Sequence, residues 1–272
     1  MPRCDEDRLL HTAAALAFFS ALSLFPALLA LVALLGLLGA SAVEPLIENV
    51  AAVAPGTARD IALDALRSIR SGDAAGPAFF LGLGVALWSS SAYVGALIPA
   101  ANVVWEVEEE RPLIRKLLLR VALTVVLLLL IAAVALIVVL TGPIAEQVGS
   151  VVGLGDAALA TWRVAKWPFL AIVLMLLLSL LYWASPNVRH PGWRWLIPGS
   201  VLAVVLWVAA SLGFSFYVSN FGTYDAVYGS IGGVLVFLLW LWLSNIAVLL
   251  GAELSAELER TRAIEAARRR QG

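Results

Sequence analysis

Charge is what this chain has least of. Only 14% of its 272 residues are Asp, Glu, Lys or Arg, against about 25% in an ordinary soluble domain, so there is too little polar surface to face water on every side. Net charge is −1, which gives bulk electrostatics no pull on nucleic acid or on an anionic substrate. A single cysteine, Cys4, excludes an intramolecular disulfide and any cysteine-built metal site. The two histidines, His11 and His190, lie beside the ends of apolar runs, and spacing pairs neither with a serine and a carboxylate for nucleophilic catalysis. There is no HExxH and no phosphate-binding loop; Gly82-Leu83-Gly84 falls inside an apolar run and cradles no phosphate. No catalytic residue, metal ligand, cofactor or nucleic-acid partner is expected, and the chain is not read as an enzyme.

What is present is hydrocarbon. Apolar residues make up 62% of the chain, and mean hydropathy is +0.95. The run 228–250 has no Asp, Glu, Lys or Arg, and as one helix it crosses the roughly 30 Å core of a bilayer. Gly229 and Gly233 form a GxxxG pair at its start, a spacing that lets a second helix come close. Similar runs at 12–38, 77–104, 121–140, 167–183 and 196–218 bring the expectation to six spans in one domain, an all-α polytopic membrane bundle. A signal peptide is the alternative for 12–38, but that run is about twice the length of a signal core. Pro26 frees the carbonyl of Leu22 there, so a kink is expected, with Ser23 near enough to satisfy loosened backbone.

The segments between spans differ in material. Residues 43–73 mix Glu44, Glu48, Arg59, Asp60, Asp64, Arg67 and Arg70 with an apolar stripe through Ile61, Ala65, Leu66 and Ile69. They read as short amphipathic helices on the outer face, or as a connecting loop with helical content. The connector 106–120 carries Glu106, Glu108, Glu109 and Glu110; the four could hold a cation, but nothing in the sequence fixes them, and a solvated charged face is the plainer reading. The span 121–140 is uniformly Val, Leu and Ile-rich and is expected to face lipid. A basic amphipathic tail, 253–272, ends the chain. Only Arg59, Arg67, Arg70, Arg163 and Lys166 fall on one side of the predicted topology, and every other Lys and Arg falls on the other. The excess marks the cytoplasmic side, so both termini are expected there.

No ionisable residue falls in the central part of any predicted span, which argues against a proton-driven pump. The polar residues that remain are few. Ser89, Ser90, Ser91 and Tyr93 cluster in the second span, where serines usually bond their own helix or a neighbour. Asn245 lies within the sixth span and must find a partner, while Glu253 sits just behind it. If they line a pathway, these six residues should share one cavity. If not, Asn245 is packing glue and Glu253 a helix-end carboxylate. Three spans followed by three would give halves of opposite topology, faintly echoed between 86–95 (ALWSSSAYVG) and 205–213 (VLWVAASLG).

Residues 13–36, AAALAFFSALSLFPALLALVALLG, resemble the opening span of the YihY/BrkB family of bacterial inner-membrane proteins. Pro186-Asn187, Pro198-Gly199, the run Tyr228 to Gly233 and the run Leu250 to Leu254 match recurrent features of that family's second half. The resemblance implies a six-span protein of the bacterial cytoplasmic membrane. Members carry ribonuclease, virulence and lipid-export labels, of which the first finds no support in these residues. Together the bundle, its polar-small patches and the kinked first span point to a transporter or flippase of a lipid-like amphiphile. The rivals are a scaffold that docks a protein partner at the outer face or basic tail, and, third, a membrane-lipid enzyme. Membrane lipids are the expected partners, the tail can bind anionic headgroups, and the Gly229/Gly233 face could pack within one subunit or between copies in a homo-oligomer.

Overall fold

The computed structural model describes residues 3–36, 77–139, 156–188, 192–220 and 230–271. Among them every regular element is an α-helix: α1 (Arg3–Gly36), α2 (Pro77–Ser90), α3 (Ala92–Val104), α4 (Leu113–Val139), α5 (Asp156–Ala184), α6 (Trp193–Asn220) and α7 (Ser230–Gln271). Five stretches among the described residues are long and apolar enough to cross a bilayer: Gly84–Val104, Leu113–Val134, Val164–Ala184, Trp193–Tyr217 and Gly233–Arg262. A shorter apolar stretch, Arg8–Leu24, lies in α1, which continues through Pro26. The all-helical, multi-span expectation holds. The expected outer helices at 43–73 lie outside the described residues.

Several helix limits differ from those expected, α1 beginning at Arg3 and α5 at Asp156 among them, and three of the differences have a local reason. The second span is broken at one residue, Ser91, between α2 and α3, where the hydroxyls of Ser90 and Ser91 donate to Leu87 O (3.0 Å) and Trp88 O (2.6 Å). Side-chain hydroxyls competing for carbonyls one turn back loosen a helix in this way. α4 begins just after Pro112, whose carbonyl accepts from Lys116 N at 3.1 Å, so the charged residues Arg115, Lys116 and Arg120 belong to the span helix rather than to a connector. α7 does not stop at the membrane edge, because the Ala, Glu, Leu and Arg of 252–271 are strong helix formers with no proline among them.

The chain divides into two compact units: Met1–Leu22 with Ala92–Arg120 and Leu174–Gly272, and Ser23–Ser91 with Val121–Val173. In the second, α4 buries Thr124, Leu128 and Ala132 at i, i+4 spacing while Val126, Leu129 and Ile131 are exposed. The span expected to face lipid therefore presents most, but not all, of its circumference outward.

In the first unit the tightest approach is between α6 and α7. A Cβ built on Gly251 would run into the Gly199 carbonyl and come within 2.6 Å of the Ala203 Cβ, and one on Gly199 would strike the Gly251 carbonyl and Ser255 Oγ. Lipid tails are as apolar as leucine, so membrane helices gain little from burying apolar surface; close backbone packing and interhelical hydrogen bonds join them instead. Both kinds occur here. Tyr182 OH donates to Val248 O at 2.7 Å, and the Ser179 and Ser200 hydroxyls meet at 2.9 Å. By contrast, a Cβ on Gly233 meets nothing within 4 Å, and Gly229 lies outside the described residues, so the close approach falls at Gly199 and Gly251 rather than at the GxxxG pair.

Substituting Gly251→Val should therefore overpack the α6–α7 crossing at a cost of about 1–3 kcal/mol, read as a fall of several degrees in melting temperature in detergent. Gly233→Ala, tested alongside, should leave the melting temperature of the monomeric protein unchanged; an equal fall in both variants would contradict this assignment.

Candidate functional site

Four polar features of the first unit bear on function, and they begin where α3 ends. Val107 N donates to Asn102 O at 2.9 Å and Glu106 N to Val103 O at 3.1 Å, the paired bonds of a Schellman cap. The left-handed position of that cap normally belongs to glycine; here Glu106 occupies it, with φ of 53°. A side chain there costs about 1–2 kcal/mol, and strain of this kind gathers at functional positions.

Beyond the cap the connector closes into a clasp. The buried Asn102 donates from Nδ2 to Glu109 Oε2 (2.9 Å), while its Oδ1 accepts from Asn187 N (2.7 Å). Arg111 grips Glu109 with Nε on Oε1 and Nη2 on Oε2, both 2.7 Å, and Nη2 also donates to Ser185 O at 2.9 Å. Asn187 Nδ2 reaches Glu108 O at 2.9 Å. The bidentate geometry is the strongest form of such a pair. Arg111 first, and Asn102 after it, hold the Glu109 carboxyl down at about 2 against the opposing effect of burial. The reading of the connector as a solvated charged face is corrected at this residue: Glu109 is a structural carboxylate fastening the connector to the α5–α6 turn.

Within the spans lies a cavity of about 170 Å³ whose polar lining comprises Ser20, Tyr93, Trp207, Trp240, Ser244 and Asn245. These groups are turned into one another. Tyr93 OH donates to Asn245 Oδ1 at 3.2 Å, and Asn245 Nδ2 donates to Leu241 O (2.8 Å) and Ser20 Oγ (3.3 Å). Trp207 Nε1 donates to Ser244 Oγ and Trp240 Nε1 to Ser211 Oγ, both at 3.2 Å.

A larger cavity, about 410 Å³, opens near the end of α3. Leu9, Val103 and Leu249 supply an apolar wall, and Arg8, Glu106, Glu253, Glu257 and Arg260 supply charge. Arg260 is engaged with Glu106 at 3.2 Å, with Glu257 at 3.6 Å, and with the Val104 carbonyl at 2.9 Å. Among the described residues Arg8 and Glu253 make no ion pair.

The six candidate residues are thus divided. Tyr93 and Asn245 meet in the smaller cavity, and Glu253 lines the larger one, about 12 Å further along α7 at helical rise. Ser89, Ser90 and Ser91 belong to the second compact unit, where the last two bond their own helix. Sequence reasoning missed Asn102 and Arg111, whose partners in the clasp include residues more than seventy positions away, and with them the role of Glu109. It also missed Arg120. That guanidinium lies 3.0 Å from where a Gly95 Cβ would stand, about 13 Å along α3 from its end at Val104. The absent Cβ of Gly95 makes the room for it.

Long apolar helices joined by small-residue contacts, with polar groups paired inside and charge gathered at helix ends, define a polytopic membrane protein. The family model described as virulence factor BrkB matches residues 1–272, and the chain belongs to that family. It is 32% identical over 248 residues to the ribonuclease-like protein YfkH of Bacillus subtilis (strain 168), covering 91% of this chain and 89% of that one. It is 30% identical over 270 residues to a UPF0761 membrane protein of Alkalilimnicola ehrlichii, covering 94% of this chain but 56% of that protein. A third relative, a UPF0761 membrane protein of Tolumonas auensis, is 40% identical over 79 residues, 26% of its length. No solved structure matches the chain.

Two predictions test the clasp and the cap. A carboxyl whose folded value is depressed contributes stability that is full above its ordinary value of 4.5 and is lost as pH falls through about 2. The stability gap between wild type and Glu109→Gln should therefore be constant from pH 8 to 5, at about 2 kcal/mol, and should shrink below pH 4.5 in detergent melts. Glu106→Gly should relieve the left-handed backbone and raise stability by about 1 kcal/mol, less what the lost Arg260 pair supplied. Whatever activity the larger cavity supports should fall in that variant.

Proposed function

We propose that this chain is a transporter or flippase of a lipid-like amphiphile in the cytoplasmic membrane of a bacterium, with both termini in the cytoplasm. The observation that supports the reading is the 410 Å³ cavity, which pairs an apolar wall with a charged rim at the ends of span helices. Ligand sites of this volume enclose drug-sized molecules, and a mixed lining suits a molecule with one polar and one apolar end. The cavity is built from α1, the end of α3 with Glu106, and α7 near its tail, all on the side that the Lys and Arg distribution leads one to expect in the cytoplasm. No carboxylate was found at mid-span among the described residues, so the reading invokes no proton relay. It is also a non-enzymatic reading, supported by relatives that carry the name UPF0761 membrane protein beside YfkH with its ribonuclease-like name.

A scaffold that docks a partner is the second reading, favoured by one feature of the tail. α7 stays helical to Gln271, and a recess of about 380 Å³ beside it is bounded by Trp195, Arg262 and Arg269, with the Arg262 guanidinium 5.6 Å from the Trp195 ring. Glu265 also lines the recess, but the two arginines outnumber it, so an acidic protein or an anionic headgroup would suit it.

Vesicles carrying the purified protein should move acyl-labelled phospholipid between leaflets faster than protein-free vesicles. Glu253→Ala should slow that movement about tenfold, equivalent to about 1.4 kcal/mol of barrier. Asn245→Ala should slow it too, and in addition lower the melting temperature, because it removes the Asn245 bonds to Tyr93 and Ser20 that join α7 to α3 and α1. Equal rates with and without protein across several lipids would overturn the transport reading.

A further inference from the structure

The charges of the larger cavity are not equivalent, and that inequality bears on what it holds. Arg260 is spent on Glu106, Glu257 and the Val104 carbonyl. That leaves one cation, Arg8, and one anion, Glu253, exposed to the cavity with no ion pair among the described residues. An anionic ligand would engage Arg8 but bring its charge toward Glu253, in a cavity where three glutamates already outnumber two arginines. A cationic ligand would answer Glu253 and leave Arg8 repelled. Only a ligand carrying both signs satisfies both groups. The apolar wall of Leu9, Val103 and Leu249 requires that this ligand continue into hydrocarbon.

We infer that the cavity takes the headgroup of a zwitterionic phospholipid with a free ammonium, its phosphate on Arg8 and its ammonium on Glu253. The inference rests on the reading of this cavity as an amphiphile site and adds the class of headgroup. Arginine suits a phosphate through its planar fork of donors, and a carboxylate accepts a charge-assisted hydrogen bond from a primary ammonium. At about 410 Å³ the cavity has room for a headgroup and the first methylenes, while the remaining chain lies in the bilayer. The Glu106–Arg260 pair, set on the strained cap, closes one side of the rim.

The test separates binding from movement. Binding of phosphatidylethanolamine and of phosphatidylglycerol to the full-length protein in detergent is measured by titration, for wild type, Glu253→Gln and Arg8→Gln. Both side chains are exposed, and each variant is first checked for a wild-type melting temperature. Wild type should bind phosphatidylethanolamine about tenfold tighter than phosphatidylglycerol. Glu253→Gln should erase that preference, chiefly by weakening the former, and Arg8→Gln should weaken both lipids alike. A wild-type protein that binds phosphatidylglycerol as tightly, or a preference that survives Glu253→Gln, overturns the inference. Translocation is scored separately in vesicles of the same two lipids. Selective binding without translocation supports the headgroup class and overturns transport; translocation with no selectivity does the reverse.

Discussion

In hydrocarbon no water is available to a polar group, so each one must find its partner within the protein. The first unit obeys that constraint at nearly every polar side chain in its spans. Asn245 holds the Leu241 carbonyl, Ser20 and Tyr93 at once; the indoles of Trp207 and Trp240 each end on a serine hydroxyl; Tyr182 ends on a backbone carbonyl of α7. These bonds join α1, α3, α5, α6 and α7 to one another. Since burial of apolar surface gives membrane helices so little reason to associate, the same bonds that satisfy the polar groups also decide which helices meet. The glycine contact between α6 and α7 serves the same end by packing, because a backbone without Cβ atoms lets the two main chains approach closely at the crossing.

The constraint relaxes at the helix ends, and the chemistry changes with it. There the chain places a strained cap, a bidentate ion pair and the larger cavity within one short stretch. Asn102 stands between the last two: its side chain belongs to the clasp, and its carbonyl closes the cap that carries Glu106 into the cavity rim. Fixing Glu109 with Arg111 therefore does more than tether a connector. It fixes the backbone on which a non-glycine residue adopts a left-handed conformation, and that residue in turn holds Arg260. Without the clasp, the cap would have little reason to bear its strain.

Much of this architecture was legible beforehand because apolar run length is a local property. The spans, the mixed charge at their ends, and the self-bonded serines of the second span can be read one segment at a time. So can the motifs that resemble BrkB proteins. Partnerships between distant segments cannot. Glu109 looked solvated because its neighbours in sequence are other glutamates; its fate is set by Asn102 and by a turn more than seventy residues away. Gly229 and Gly233 had the right spacing for a helix contact, yet the contact formed at Gly199 and Gly251, single glycines on two different helices that no one-segment pattern links. Arg120 escaped attention because it sits at the start of an apolar run, and only the three-dimensional structure reveals that its guanidinium lies against Gly95.

The two cavities also set terms for how such a protein could work. The smaller one offers a ligand no open polar group, since its hydrogen-bonding atoms face each other. A headgroup passing that level would have to exchange those bonds one for one. The distances suggest where exchange is easiest: Tyr93 to Asn245 at 3.2 Å and Asn245 to Ser20 at 3.3 Å lie at the long end of the hydrogen-bond range, whereas Asn245 to the Leu241 carbonyl at 2.8 Å does not. The bonds between helices are thus the weak ones and the bond within α7 the strong one. Separation of α7 from α1 and α3 would break the Asn245 bonds to Tyr93 and Ser20 together, while Asn245 stayed bonded to Leu241 O and Ser20 to Leu16 O within their own helices, and the Gly199–Gly251 crossing would keep α6 attached to α7 as it moved.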